Sequence, residues 1–410
     1  MTDASQALAE YARDEAGRLV ASLTRQLGNF DLAEESVQDA IVEALRTWPA
    51  RGVPEEPGAW LRVAARRKAT DRLRRTASQH RHLIELAELD LADCDAGLDV
   101  ADDRLVLLFM CCHPTLSREA QLALILRSVL GLTTAQVAKA FLTTEATMGK
   151  RIVRAKRKVT EARIPFEVPT GANAQARIQE VLTAVYVMFN EGYLSAGPER
   201  AAREELANDA VWLAALLVRL LPDEPEVVGL QCLFALHMAR DAARFDPNGE
   251  IVLLKDQDRR LWDRVAIDAA LAALNPALRT GRHGFFLCQA AIAACHATAR
   301  SWAETNWALI GALYDRLSEV TDSPVVRLNR AIALSHHAGA GVGLAELAPL
   351  AEELDGYHLF HAARAEMLKE LGRHEEAIAC ERRALELTAN PAERRLLENR
   401  LTTSLGLSFR

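Results

Sequence analysis

The sequence predicts an all-α protein. Half of its 410 residues are hydrophobic, and Ala, Leu, Arg and Glu are abundant. Apolar residues recur at steps of three and four, while strand-like alternation is almost absent. A chain of this length exceeds one ordinary core, so two or three domains are expected. The formal charge of −7 is unevenly laid out. Residues 1–165 carry 24 Lys and Arg against 23 Asp and Glu, and residues 166–410 carry 25 against 33. Bulk charge therefore marks neither half as a nucleic-acid binder; only local clusters can do so. Seven cysteines are scattered without a C-x-x-C pair, which argues against disulfides and zinc ribbons. Met1 to Glu15 is acidic and has no apolar signal stretch. The longest apolar run, Val211 to Leu221, is interrupted by Arg219 and is too short to span a bilayer. A soluble cytoplasmic protein without a membrane partner is expected.

Residues 14–50 read as two helices joined near Gly28-Asn29. Asp31 and Glu34 make a capping box for the second, whose apolar stripe is Val37, Ile41, Ala44 and Trp48. Glu34, Glu35, Gln38 and Asp39 form its other face. Pro49 to Gly58 is a Pro/Gly-rich loop. From Trp60 to Arg81 a helix carries Arg62, Arg66, Arg67, Lys68, Arg72, Arg74, Arg75 and Arg81 against the single acid Asp71. So dense a cluster suits phosphate contacts. Trp60 is read as core, with Leu61, Ala64, Ala65 and Leu73 on the packed side. The sign then flips: eight acids between Glu85 and Asp103 occur without any Lys or Arg, a self-repelling linker or a strap for a positive channel.

Helical signal resumes at Arg104, and Leu116 to Leu130 is an apolar helix closed by Gly131. Thr133 and Gln136 form a capping box for a short helix through Phe141, and Thr144 opens the next. There Met148, Ile152, Ala155 and Val159 recur at steps of four, three and four, while Thr147, Lys150, Arg151, Arg154, Arg157 and Lys158 lie opposite. A helix gripped on one face and positive on the other fits a DNA major groove. Gly149 interrupts it at a cost of about 1 kcal/mol relative to alanine, marking either close backbone approach to DNA or a looser helix. Cys111-Cys112-His113 precedes Pro114 at a helix end and is read as packing.

Ile164 to Gly171, with two prolines and a glycine, is a connector. Beyond it the chain is helix after helix. Ala365, Leu368, Gly372, Ala377, Ala384 and Leu385 follow the small-and-apolar pattern of a tetratricopeptide repeat (TPR). Thirty-four residues earlier Arg330, Ala331 and Leu334 match Arg364, Ala365 and Leu368, but Ala338 and Gly343 stand where Gly372 and Ala377 stand. A short TPR-like helical solenoid is expected. His358 and His361 are three apart on a helix, but no acid or cysteine sits at ligand spacing, so no metal and no cofactor are expected.

The N-terminal part resembles bacterial RNA polymerase sigma factors of the extracytoplasmic-function (ECF) type. Asp31-Leu-Ala-Glu-Glu-Ser-Val-Gln-Asp-Ala40 is similar to the region-two helix that meets the polymerase β′ clamp. Ala59-Trp-Leu-Arg-Val-Ala-Ala-Arg-Arg-Lys-Ala-Thr-Asp-Arg-Leu-Arg-Arg75 is similar to the helix that reads and opens the minus-ten element. Leu116-Ser-Arg-Glu119, with Thr144 to Lys158, is similar to region four and its minus-thirty-five recognition helix. Ile164 to Pro169, Phe189-Asn-Glu-Gly-Tyr193, Asp256-Gln-Asp-Arg259 and Gln289 to His296 resemble the extension of a subgroup carrying a TPR-like C-terminal part. The aromatic-poor region two, with only Trp48 and Trp60 between Asp31 and Arg75, departs from an opening mechanism based on stacked bases.

The resemblance implies no catalysis: such a protein lends promoter specificity to core RNA polymerase. Asp31, Glu34, Glu35, Gln38 and Asp39 would dock on the clamp, and region four would meet the β flap. Arg66, Lys68, Arg72 and Arg75 would hold the minus-ten element. The Arg51–Gly58 loop would cup a flipped base. Thr147, Lys150, Arg151 and Arg154 would face the minus-thirty-five major groove. The expected organisation is region two over 1–83, an acidic linker over 84–103, region four over 104–163, a connector over 164–173 and a TPR-like all-helical domain over 174–410. That last domain is expected to control activity, through a regulatory protein or ligand, and to pack on or near regions two and four. Two other readings stay open: a helix-turn-helix regulator with a sensing helical half, and a TPR scaffold or helical enzyme with a vestigial N-terminus.

Overall fold

The computed structural model describes residues 2–76, 100–170, 172–193 and 200–405. Among them the chain forms 18 α-helices, and the sole extended pairing is one antiparallel bridge between Phe245 and Ile251. The all-α expectation holds. Two compact units result, the first holding residues up to Gly192 with Glu205–Ala210, the second Tyr193–Glu204 and Val211–Arg410.

The first unit opens with α1 (Thr2–Leu27), α2 (Phe30–Arg51) and α3 (Pro57–Thr76). Gly28, at φ +60°, makes the sharp reversal between α1 and α2. Helix α2 starts earlier than the capping-box reading placed it: the Asn29 side chain accepts from the Leu32 amide, which leaves Asp31 inside the first turn. It also runs on through Pro49 to Arg51, because the proline sits in the last turn, where Gly52 at φ +84° ends the helix. Val37, Ile41, Ala44 and Trp48 are buried as the stripe requires, and half-buried Trp60 of α3 packs edge-on against Trp48 at 5.5 Å.

Next come α4 (Val100–Cys111), α5 (Arg118–Leu124), α6 (Thr134–Ala140) and α7 (Glu145–Glu161). Most of the acidic segment lies outside the described residues, but its last acid, Asp103, is buried in α4 and pairs with Arg25 of α1. The apolar stretch expected as one helix is instead α5 followed by a π-helical turn, Ile125–Val129. The wider turn re-aims Arg127, whose guanidinium bonds the Leu132 carbonyl at 3.1 Å. Helix α1 passes this turn closely: a Cβ on Gly17 would come within 2.7 Å of the Val129 carbonyl oxygen. The Thr133–Gln136 capping box and the Thr144 cap both form. Helix α8 (Ala172–Tyr193), which follows the connector, belongs up to Gly192 to this first unit. Its Arg177 donates to the Phe109 carbonyl at 2.5 Å, and its Glu180 pairs with Arg118 at 3.3 Å.

Helix α9 (Arg200–Leu220) leads into the second unit, which continues with α10 (Pro225–Met238), α11 (Arg264–Leu278), α12 (Phe285–Thr298) and α13 (Trp307–Val320). Then follow α14 (Pro324–Ala338), α15 (Ala340–Leu347), α16 (His358–Glu370), α17 (His374–Leu387) and α18 (Pro391–Ser404). The starts of α14 and α16, and of α15 and α17, are each 34 residues apart, the expected repeat length. Ala365, Leu368, Ala377 and Cys380 form one cluster, and Ala384 packs with Ala362 and Leu397 in another. The degenerate position Gly343 has a physical reason: a Cβ there would lie 2.5 Å from that of Ser335. Helices α10 and α12 also approach closely. Gly229 leaves no room for a Cβ against the Leu287 amide, and the buried Glu226 carboxylate accepts the Phe286 and Leu287 amides at 2.9 and 3.1 Å.

Candidate functional site

Two basic helices and one acidic face were expected to carry function, and the structure places them within the first unit. Helix α7, expected to recognise DNA, has the predicted two faces. Met148, Ile152, Ala155 and Val159 are buried, whereas Thr147, Lys150, Arg154, Arg157 and Lys158 are exposed. Thr147 shares a hydroxyl–hydroxyl hydrogen bond with Thr144 at 2.8 Å. Arg151 is half-buried and pairs loosely with Glu119 at 3.4 Å. Val153, 65% exposed, adds an apolar spot to this face. Around Gly149 a Cβ would meet nothing nearer than the Thr134 methyl at 3.9 Å, so packing does not require glycine there.

The basic run of α3 is split between two faces. Lys68 pairs with Glu43 at 2.6 Å, and Arg72 forks between Glu35 and Asp39, the latter at 2.7 Å. The hydrogen bond to Asp39 and the nearby acids push the Arg72 guanidinium pKa above its ordinary value. Residues expected to hold DNA are thus bound to residues expected to hold polymerase, because α2 and α3 pack side by side with opposite charges facing. The other side of α3 carries Arg62 and Arg67, both exposed, half-buried Arg66 and Val63, 57% exposed. The four-residue spacing places Arg62 and Arg66 on one helical face, with Val63 and Arg67 about 100° further round the helix. Arg66 is the one minus-ten candidate with a described side chain on that face; the side chain of Arg75 lies outside the described residues.

The acidic face of α2 divides in the same way. Glu35 is exposed, and Asp31 and Asp39 are half-exposed. Glu34 and Gln38 are buried. The Glu34 side chain, 0% exposed, forms an ion pair with Arg127 Nε at 2.8 Å and accepts a hydrogen bond from Lys156 Nζ of α7, whose side chain is 9% exposed. Gln38 donates to the Arg127 carbonyl at 3.1 Å. Burial raises the Asp31 carboxyl pKa against the opposing pull of Lys156, 3.9 Å away. A cleft of about 950 Å³ opens beside this contact, lined by Asp31, Glu35, Asp39, Lys68, Arg72 and Arg163 among others. Lys156 was missed as a structural residue, although its place four after Ile152 puts it at the edge of the buried stripe.

Cys111 and Cys112 are buried at the end of α4, and burial pushes the Cys112 thiol up to about 12, which suits packing rather than reactivity. His361 bonds the Asp355 carbonyl oxygen at 2.8 Å, and His358 faces Glu393 at 3.1 Å. Among the described residues no group of three or more metal-capable side chains occurs, and no helix is long and apolar enough to cross a membrane.

Comparison with known proteins settles what this arrangement belongs to. Residues 12–79 match the family described as sigma-70 region 2, and residues 107–159 match sigma-70, region 4. Those spans contain α2, α3, α6 and all but the last two residues of α7. The chain belongs to the sigma-70 family. It is an ECF-like sigma factor with a C-terminal extension, and it directs promoter-specific transcription with core RNA polymerase and promoter DNA as partners. Residues 177–278 of the extension match a family of unknown function, DUF6596. An uncharacterized protein of Rhizobium meliloti (strain 1021) is 44% identical over 379 residues, covering 91% of this sigma factor and 90% of that protein. No solved structure matches the chain.

Proposed function

We propose that this cytoplasmic sigma factor exists in a closed form that withholds part of its polymerase-docking face, and that its extension controls release of that face. The observation that carries the proposal is the burial of Glu34 between Arg127 and Lys156. In the closed form Glu34 and Gln38 serve region four; in the open form they join Asp31, Glu35 and Asp39 on the β′ clamp, and region four reaches the β flap. Opening also loosens the cover over Lys68 and Arg72, which then join Arg75 and the free face of Arg62, Arg66 and Arg67 along the minus-ten element. Thr147, Lys150, Arg151 and Arg154 read the minus-thirty-five element from the exposed side of α7. Helix α8 gives the extension its hold: Arg177 and Glu180 tie it to α4 and α5 of region four. A regulatory protein or ligand acting on the extension would bias the equilibrium between the two forms, without any catalytic step.

The test is transcription in vitro with purified core polymerase, comparing the full chain with Arg177→Ala combined with Glu180→Ala. A promoter-specific transcript whose yield changes at least about threefold between the two supports control through α8. Equal yields from two folded proteins would refute it.

A further inference from the structure

The second unit carries an excess of acid, yet one cavity in it is lined by cations. A pocket of about 490 Å³ is walled by Lys255, Arg259, Arg260, Arg264, Arg300 and Trp302, and Asp258 is its single carboxylate. Asp258 is taken up by Arg260, at 2.7 Å. Among the described residues Arg259, Arg264 and Arg300 have no carboxylate within ion-pair distance. Arg259 and Arg264 are aimed by backbone instead: Arg259 donates to the His296 and Ala299 carbonyls at 2.7 and 2.6 Å, Arg264 to the Ala297 carbonyl at 3.0 Å. The Arg259 guanidinium also lies 4.6 Å from the Trp262 ring centroid, and its buried Nη2 has no hydrogen-bond partner. Two backbone-held guanidinium groups, with the exposed Arg300 beside them and no carboxylate paired to any of the three among the described residues, form an oxyanion receptor.

A second cavity of about 620 Å³ meets the first at Lys255 and Trp302, which line both. Its walls include Leu254, Leu328, Ile332, Ala363, Met367 and Leu397. Two of its acids are already engaged: Glu366 by Arg400, Lys369 and Lys255, and Glu393 by Thr388 and His358. The basic pocket thus keeps free positive charge, while the adjoining groove offers apolar surface.

We infer that the two cavities form one site for a small anionic amphiphile, its phosphate or carboxylate head held by Arg259, Arg264 and Arg300 and its apolar body laid in the groove past Trp302. The geometry separates the two tasks. Guanidinium groups supply charge and paired donors for the head, and each methylene of the tail gains from leaving water. Such a ligand would serve the control proposed for the extension, so its use rests on that reading, although its binding does not.

Titration calorimetry on the full chain tests the site, with inorganic phosphate and octyl phosphate as probes and neither polymerase nor DNA present. Octyl phosphate should bind one per chain, at least about tenfold more tightly than inorganic phosphate. Arg300→Glu should weaken both probes at least about tenfold. Leu359→Glu, at a groove residue 46% exposed, should weaken octyl phosphate alone. Circular dichroism checks the fold of each variant, and Arg300→Gln replaces Arg300→Glu if the reversal disrupts it. Equal affinity for the two probes, several octyl phosphates per chain, or indifference of binding to Arg300 in folded protein would each overturn the site. Because polymerase is absent, a failed titration counts against the site alone, and a failed transcription test against the control reading alone.

Discussion

Glu34 of α2 and Lys156 of α7, 122 residues apart in sequence, form an ion pair in which both side chains are buried. Arg127 completes the contact from the π-helical turn. One carboxylate therefore serves two cations, and its removal would leave both in a poorly solvated place. Glu34→Ala should lower the stability of the first unit by about 3–5 kcal/mol, because breaking one partner of a buried pair leaves uncompensated charge. Urea unfolding read on that unit checks this, and a loss below about 1 kcal/mol would show that water or a neighbouring group takes over.

Region two and region four also meet through a close backbone approach. A Cβ at Gly17 would press on the Val129 carbonyl oxygen, an atom that only a shift of the backbone can move. Gly17→Ala should cost about 1–3 kcal/mol. Hydrogen exchange should then show faster opening in Ile125–Val129 before the rest of the unit responds.

At Gly149 the opposite outcome is expected. The space around it accommodates a methyl group, and glycine weakens an exposed helix interior. Gly149→Ala should stabilise α7 by up to about 1 kcal/mol and raise Tm. If promoter affinity falls while Tm rises, the backbone at Gly149 approaches DNA closely.

The two faces of α3 predict different mutational effects. Arg67→Ala removes an exposed charge with no carboxylate in reach among the described residues, so it should weaken promoter binding across sequences. The slope of log affinity against log salt should fall by about 0.9. Arg72→Ala breaks pairs with Glu35 and Asp39 as well, so it should disturb α2–α3 packing in the free protein. Salt-dependent binding together with the thermal stability of both variants separates the two roles.

Burial also writes a pH dependence into the second unit. It lowers His237 to about 3 and His296 to about 4, against an ordinary value of 6.5. Both imidazoles are therefore neutral in the fold, while the unfolded chain takes up their protons below 6.5. Stability contributed by neutrality is complete above 6.5 and is lost as pH falls toward 4 and then 3. Each imidazole should cost up to about 1.4 kcal/mol per pH unit in that window. Stability curves at pH 7 and pH 5 test this, and His296→Gln should reduce the difference.

What the sequence made legible was local. The stripe of Met148, Ile152, Ala155 and Val159, the Thr133–Gln136 box and the 34-residue spacing depend on neighbours a few positions away or on simple periodicity. The less legible features are tertiary. Nothing near Lys156 reveals that Glu34 will bury it, and nothing in the α3 run separates Lys68 and Arg72 from Arg62 and Arg67 until α2 lies alongside. The start of α2 was misplaced because Asn29 and Asp31 are both good caps, and only the Leu32 amide decides between them. The π-helical turn has no clear composition signal; in the fold it carries Arg127, which pairs with Glu34.

We propose that contact between Glu34 and region four withholds the polymerase-docking face. The most direct test is the affinity of the full chain for core RNA polymerase, measured for the wild type and for Lys156→Ala combined with Arg127→Ala. Removing both cations takes away what holds Glu34 in the closed form, so the variant should bind core polymerase at least about tenfold more tightly. Unchanged or weaker binding by a variant that keeps its helical content would contradict the account.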